Sequence, residues 1–183
     1  MAKAILISVQ PKWCELIVSG KKTLEVRKTR PKLETPFKCY IYCTYGEGLI
    51  ERSDPCLPNM LIEQKVTKEK TWGNCCNGKV IGEFVCDDCS LLTKAHYGYI
   101  EQYGCLIREA LNTYMGISGR ELSDSDGCYG LHISELRIYN RPKYLSEFSG
   151  LRKTKFGLEP IRIRRAPQSW CYVEEENGGA VFK

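Results

Sequence analysis

The nine residues Ser19-Gly-Lys-Lys-Thr-Leu-Glu-Val-Arg27 constrain the fold of this chain more than any other stretch. The segment ahead of them, Pro11-Lys-Trp-Cys-Glu-Leu-Ile-Val-Ser19, has Trp13, Cys14, Leu16, Ile17 and Val18 as its apolar positions. Pro11 suits the first turn of a helix, where an amide has no partner to lose, and Gly20 suits the left-handed residue that ends one. A helix over 11–19 follows. After Gly20 the chain alternates, so Leu24 and Val26 turn to a core while Thr23, Glu25 and Arg27 share the other face of a strand over 23–28. Three polar groups then line one side of a strand beside a helix end, with Lys22 just ahead of them.

Further strands are expected at 4–10, 37–45, 79–87 and 128–138. A helix is expected over Tyr99–Tyr114, where Ile100, Tyr103, Ile107, Ala110, Leu111 and Tyr114 recur at helical steps. Residues 46–78, rich in Gly, Pro and Asn, read as an insertion. Ser118 with Glu121 fits the capping box of a short helix, and the last six residues are expected to fray. Strands and helices alternate without the βαβ rhythm of a parallel sheet. The expectation is an α+β fold: a mixed, mostly antiparallel β-barrel with flanking helices, formed by a single domain over residues 1–183 with a basic C-terminal extension at 147–183.

With 43% hydrophobic and 27% charged residues the chain has a soluble globular composition, and no apolar run nears the ~18 residues of a membrane helix. Lys3 precedes only Ala4-Ile-Leu-Ile7 before the polar Ser8, so no secretory signal is expected and the location expected is cytoplasmic. The eleven cysteines are then expected to be reduced thiols. Cys14, Cys39, Cys43 and Cys86 sit where small hydrophobes belong. Cys75, Cys76, Cys86 and Cys89 are an alternative, a four-thiolate zinc site, but adjacent cysteines lack the usual ligand spacing. Neither a metal nor a cofactor is expected.

The net charge of +5 is uneven. Arg152, Lys153, Lys155, Arg162, Arg164 and Arg165 face one acid, Glu159, within 152–165. That run suits either phosphate contact or a solvated basic surface.

Lys22 offers a mobile point charge and Arg27 a planar fork, a combination suited to a phosphate or a polarised carbonyl. Glu25 would either hold the two cations or accept hydrogen bonds from the amino or imino groups of a base. A lysine buried beside an arginine could also serve as a general base. The plain alternative is a surface ion-pair ladder worth about 0–1 kcal/mol per pair. Ser8 and Gln10 alternate outward from the first strand towards the same groove. Trp13 would either stack on a nucleobase or pack in the core. Near the C-terminus, Gln168, Trp170 and Tyr172 share one face of an extended segment, either a lid over the groove or a strand docked on the sheet. His96 and His132 are isolated in sequence and are not candidates for catalysis or metal binding.

The pattern Gly20-x-Lys22-x-x-Glu25-x-Arg27 after a short helix resembles the ASCH family of the PUA-like superfamily, small β-barrel domains associated with RNA. Ile5-Leu-Ile-Ser-Val-Gln-Pro11 is similar to that family's opening strand, Phe37–Thr44 to a barrel strand, and Lys79-Val-Ile-Gly-Glu-Phe-Val85 to its glycine-containing strand. Gly130–Ile138 followed by Arg141-Pro-Lys resembles the late strand and the proline that closes the barrel. The resemblance covers 4–45 and 79–146. It implies an RNA- or nucleotide-binding groove formed by Ser8, Gln10, Trp13, Lys22, Thr23, Glu25 and Arg27, assisted by the basic run. It also carries a rival: some compact members are amidohydrolases acting on acetylated cytidine, with a Lys and a Thr after the same glycine. Lys22 matches that Lys, but Glu25 takes the place of the second Thr. Lys22 and Glu25 would be the catalytic residues of such an enzyme, with Glu83, Glu101 or Glu109 as a remote carboxylate. A ribonuclease, using the cations to stabilise a pentavalent phosphate, is the third reading. Binding of RNA or a nucleotide ranks first, whether there is catalysis stays open, and no protein partner is indicated.

Overall fold

The computed structural model describes residues 2–45, 76–117 and 127–175. The larger of its two sheets is organised around β1 (Lys3–Val9), in which Ala4, Ile5, Leu6 and Ile7 are fully buried. Such a continuous apolar run belongs to a strand covered on both faces. β1 pairs parallel with β3 (Phe37–Cys43) and antiparallel with β10 (Trp170–Glu174). β4 (Lys79–Cys86) and β7 (Ser134–Tyr144) extend the sheet beyond β3, and β8 (Ser149–Thr154) and β9 (Gly157–Arg162) extend it beyond β10. The order is β7-β4-β3-β1-β10-β8-β9.

A second sheet, β2-β6-β5, joins β2 (Leu24–Arg27), β6 (Cys128–His132) and β5 (Cys89–Leu92). The fold is therefore α+β with mostly antiparallel sheets. The seven-stranded order runs from β7 to β9 without pairing them, so the expected closed barrel is instead an open sheet with a smaller one beside it.

Helix α1 (Pro11–Val18) covers one face of the large sheet, with Cys14, Ile17 and Val18 packed against Ile5, Ile7 and Ile41. The opposite face buries Leu6, Tyr40 and Tyr42 against Phe148, whose ring lies 5.0 Å from that of Tyr40, edge on. A third cluster sets Leu24 and Val26 of β2 against Leu92, Ile100 and Leu111. These last two residues come from the helices α2 (Tyr97–Gly104) and α3 (Arg108–Met115).

Three expectations change here, and one pair of open alternatives is decided. The single helix over Tyr99–Tyr114 is two, broken where Cys105 takes a left-handed φ of 54°. The periodicity misled because Tyr103, Ile107 and Tyr114, three of the six recurring positions, are not buried in the core. The strand over 128–138 divides at Ile133, whose amide donates to the Thr23 carbonyl and so turns the chain from the small sheet to the large one. Pro142 lies in β7, an edge strand, where a missing amide costs least. The tail segment is a docked strand rather than a lid: Ile5 of β1 is paired with Tyr172, and the basic extension forms β8 and β9 of the same sheet. Most of the expected insertion at 46–78, the capping box at Ser118 and the last six residues lie outside the described residues.

Candidate functional site

Gly20, at φ 72°, ends the turn after α1, and the Lys22 amide then donates to the Leu16 carbonyl, drawing the chain back across the helix. This sets the Lys22 side chain inward, where it is 2% exposed. Its Nζ donates to the Leu24 carbonyl at 2.8 Å and to the Gly104 carbonyl at 2.6 Å, and it lies 3.4 Å from Glu25 Oε2. Three acceptors match the three N–H donors of an ammonium. The Gly104 carbonyl ends α2 and has lost its intrahelical donor, so Lys22 supplies the partner that the break between α2 and α3 requires.

Along β2 the alternation holds. Leu24 and Val26 enter the apolar cluster, while Glu25 and Arg27 turn to the other side. Glu25 Oε1 accepts from Arg27 Nη2 at 2.8 Å, so each carboxylate oxygen is held by a different cation. Arg27 Nη2 also donates to the Ser8 carbonyl at 2.6 Å, and Nη1 reaches the Ser169 carbonyl and hydroxyl at 3.4 Å. Arg27 Nε is buried with no hydrogen-bond partner. Arg27 thus ties β2 to the end of β1 and to the segment before β10.

Above this group is a cavity of about 800 Å³. Lys22, Glu25 and Arg27 form its floor, and Gln10, Lys12 and Trp13 of α1 and its N-cap form one wall. Leu106, Glu109, Thr113 and Tyr114, in and just before α3, form the wall opposite, and Ser8, Pro167 and Gln168 close a third side. Trp13 is half-buried, with Lys12 Nζ 4.6 Å and Lys22 Nζ 5.4 Å from its ring centroid. Both sequence readings of Trp13 therefore hold in part, since it packs on the core and also faces the cavity. Burial raises the Tyr114 hydroxyl pKa above its ordinary value, opposed by the nearby Arg27 guanidinium.

Of the residues anticipated for the groove, Ser8, Gln10, Trp13, Lys22, Glu25 and Arg27 come together here. Thr23 does not line the cavity; its amide and carbonyl bridge Tyr103 and Ile133. Among the candidate remote carboxylates only Glu109 reaches the cavity, because Glu83 accepts from the Tyr139 hydroxyl at 2.6 Å and Glu101 is exposed on α2. Glu109 is one of three candidate carboxylates, but nothing local separates it from the others or marks Tyr114, since only the break after Gly104 turns the two inward.

The basic run does not form one stripe. Arg152 is paired opposite Glu159, whereas Lys153 and Arg162 lie in pairs on the other face of the hairpin, opposite Leu158 and Ser149. All six cations are exposed. The described cysteines form no disulfide, and their part of the zinc alternative does not assemble: Cys76 lies with Cys14, while Cys86 lies with Cys39 and Cys89. Cys75 lies outside the described residues. Among the described residues no group of three or more ligand side chains could hold a metal ion, and no helix is long and apolar enough to cross a membrane.

The chain is an α+β domain of mostly antiparallel sheets with a buried Lys22–Glu25–Arg27 floor. The family model for the ASCH domain matches residues 7–112, more than half of the chain, and the chain belongs to this family. Among solved structures it is similar to ASCH from Zymomonas mobilis, with a TM-score of 0.51 and 18% identity over 94% of this chain and 88% of that one. A serine-to-alanine variant of that protein gives 0.52 and 17% over 94% and 89%. At that identity the likeness is one of fold. No curated protein matches the chain.

Proposed function

We propose that this chain binds single-stranded RNA or a nucleotide-like ligand in the cavity above β2. The observation that carries the reading is the Lys22–Glu25–Arg27 floor: two cations around one carboxylate, all at most 8% exposed by side chain, beneath an aromatic wall. The floor keeps one positive charge in excess inside a concave, partly water-excluded site, where it attracts a phosphate or a polarised carbonyl. Trp13 offers a ring face on which any base can stack. Arg152, Lys153, Lys155, Arg162, Arg164 and Arg165 on the β8–β9 hairpin and just beyond it add contacts to phosphates without reading sequence. Buried reduced thiols fit a cytoplasmic setting.

Fluorescence anisotropy with labelled oligoribonucleotides at two salt concentrations tests this. Affinity should fall with salt at about 0.7 logarithmic units per phosphate contact. Charge reversal of Arg162, Arg164 and Arg165 should weaken all sequences alike, and Trp13→Ala should cost about 1–3 kcal/mol per stacked base. Absence of binding at low salt overturns the reading.

Glu109 favours a second reading. It adds a carboxylate to the cavity that Lys22 and Glu25 line, which suits an amidohydrolase acting on a modified nucleoside such as N4-acetylcytidine, with Lys22 and Glu25 as its catalytic residues and Glu109 as the remote carboxylate. Turnover of N4-acetylcytidine, lost in Glu109→Gln and Glu25→Gln, would put this reading first.

A further inference from the structure

We propose that Gln10 and Gln168 are the specificity-determining pair of the cavity, reading the hydrogen-bonding edge of one unpaired nucleobase; this rests on the RNA-binding reading above. The charged floor is largely spent on itself. Lys22, Glu25 and Arg27 bond one another and the carbonyls of Leu24, Gly104 and Ser8. The Ser8 hydroxyl donates to the Pro167 carbonyl at 2.7 Å, and the Thr113 hydroxyl donates to the Glu109 carbonyl at 2.8 Å. Groups so committed hold a shape and a charge but have few donors or acceptors left to tell one base from another.

Gln10 and Gln168 differ from these. Both line the cavity, both are exposed, and neither side-chain amide has a partner among the described residues. Their backbones are nevertheless pinned. Gln10 is the N-cap of α1, its carbonyl accepting from the Trp13 amide at 2.9 Å and the Cys14 amide at 3.0 Å. Gln168 lies between Pro167 and Ser169, whose carbonyls accept from the Ser8 hydroxyl and the Ser8 amide, with Arg27 as a further tie to Ser169. These same bonds set the two glutamines on adjacent strands of chain. A carboxamide presents a donor and an acceptor in one plane and carries no charge, so it answers to the pattern of a base edge rather than to phosphate. Trp13, three residues from Gln10 on the same wall, supplies the face on which that base would lie.

The test uses the full chain and four short labelled oligouridylates carrying A, C, G or U at the central position, read by anisotropy. Wild type should separate the best probe from the worst by about tenfold or more. Gln10→Ala and Gln168→Ala should each shrink that ratio several-fold, and the double variant should bring it near one while the weakest probe keeps its affinity. Gln168→Glu, which removes the donor, should reorder the four probes. Trp13→Ala should weaken all four together. Unchanged melting temperatures confirm that the exposed substitutions leave the fold intact. An unchanged ratio in the double variant, or equal binding of the four probes by wild type, overturns this proposal and leaves the RNA-binding reading standing. Binding of none of them overturns both.

Discussion

Replacing Lys22 by methionine removes a charge from one of the least accessible places in the molecule. The side chain is 2% exposed, and its Nζ serves the Leu24 carbonyl at 2.8 Å, the Gly104 carbonyl at 2.6 Å and Glu25 Oε2 at 3.4 Å. Methionine keeps the length of the aliphatic stem, so the loss is polar rather than one of packing. Breaking a buried ion pair from one side costs about 3–5 kcal/mol, because the surviving charge stays buried. The stranded carbonyls, at about 1–3 kcal/mol each, overlap with that figure rather than add to it. For a chain of this size each kcal/mol moves the midpoint by about 2–4 °C, so Lys22→Met should lower Tm by roughly 6–20 °C. Urea denaturation and thermal melts followed by circular dichroism read this directly. Lys21→Met, at the exposed neighbouring position, should stay within about 0.5 kcal/mol of wild type. Lys22→Met unfolding within about 1 kcal/mol of wild type would show that the ammonium is solvated and that the floor is an ordinary surface pair.

Gly82→Ala should destabilise by about 1–3 kcal/mol, because a Cβ there would lie 2.5 Å from the Arg137 carbonyl of the paired strand β7; a neutral result in urea denaturation would contradict that close approach. Burial pushes the Cys128 and Cys171 thiols to about 11, so native-state alkylation at pH 8, followed by mass spectrometry, should modify them about two orders of magnitude more slowly than after unfolding. The hydrogen bond from His132, at 2.6 Å, holds Asp87 below the ordinary carboxylate pKa. Its stabilising contribution is therefore present above the ordinary carboxylate range and lost as pH falls through the depressed value, and its exposure keeps that contribution small. Carboxyl NMR titration should show the Asp87 midpoint rising in His132→Ala, and an unmoved midpoint would rule out that cause.

The sequence by itself determined what local geometry dictates. Pro11 and Gly20 bound a helix, and alternation through Leu24 and Val26 turns Glu25 and Arg27 to one side. Each follows from a period or from a residue's own backbone preference, and needs no knowledge of what lies across from it. Tertiary structure decided the rest. Tyr99 to Tyr114 has helical periodicity throughout, yet the helix stops at Gly104, where a lysine 82 positions earlier takes its carbonyl. The cations of 152–165 are contiguous in the chain, but antiparallel pairing sends them to two faces of a hairpin. Gln168 shares a face with Trp170 and Tyr172 in the sequence, but nothing local brings it to the cavity. It reaches the cavity because Ser8 and Arg27, more than 140 residues away, hold its neighbours in place. Hydrogen bonds between distant segments depend on which carbonyls and amides the whole fold leaves without partners, and no local window of sequence contains that information.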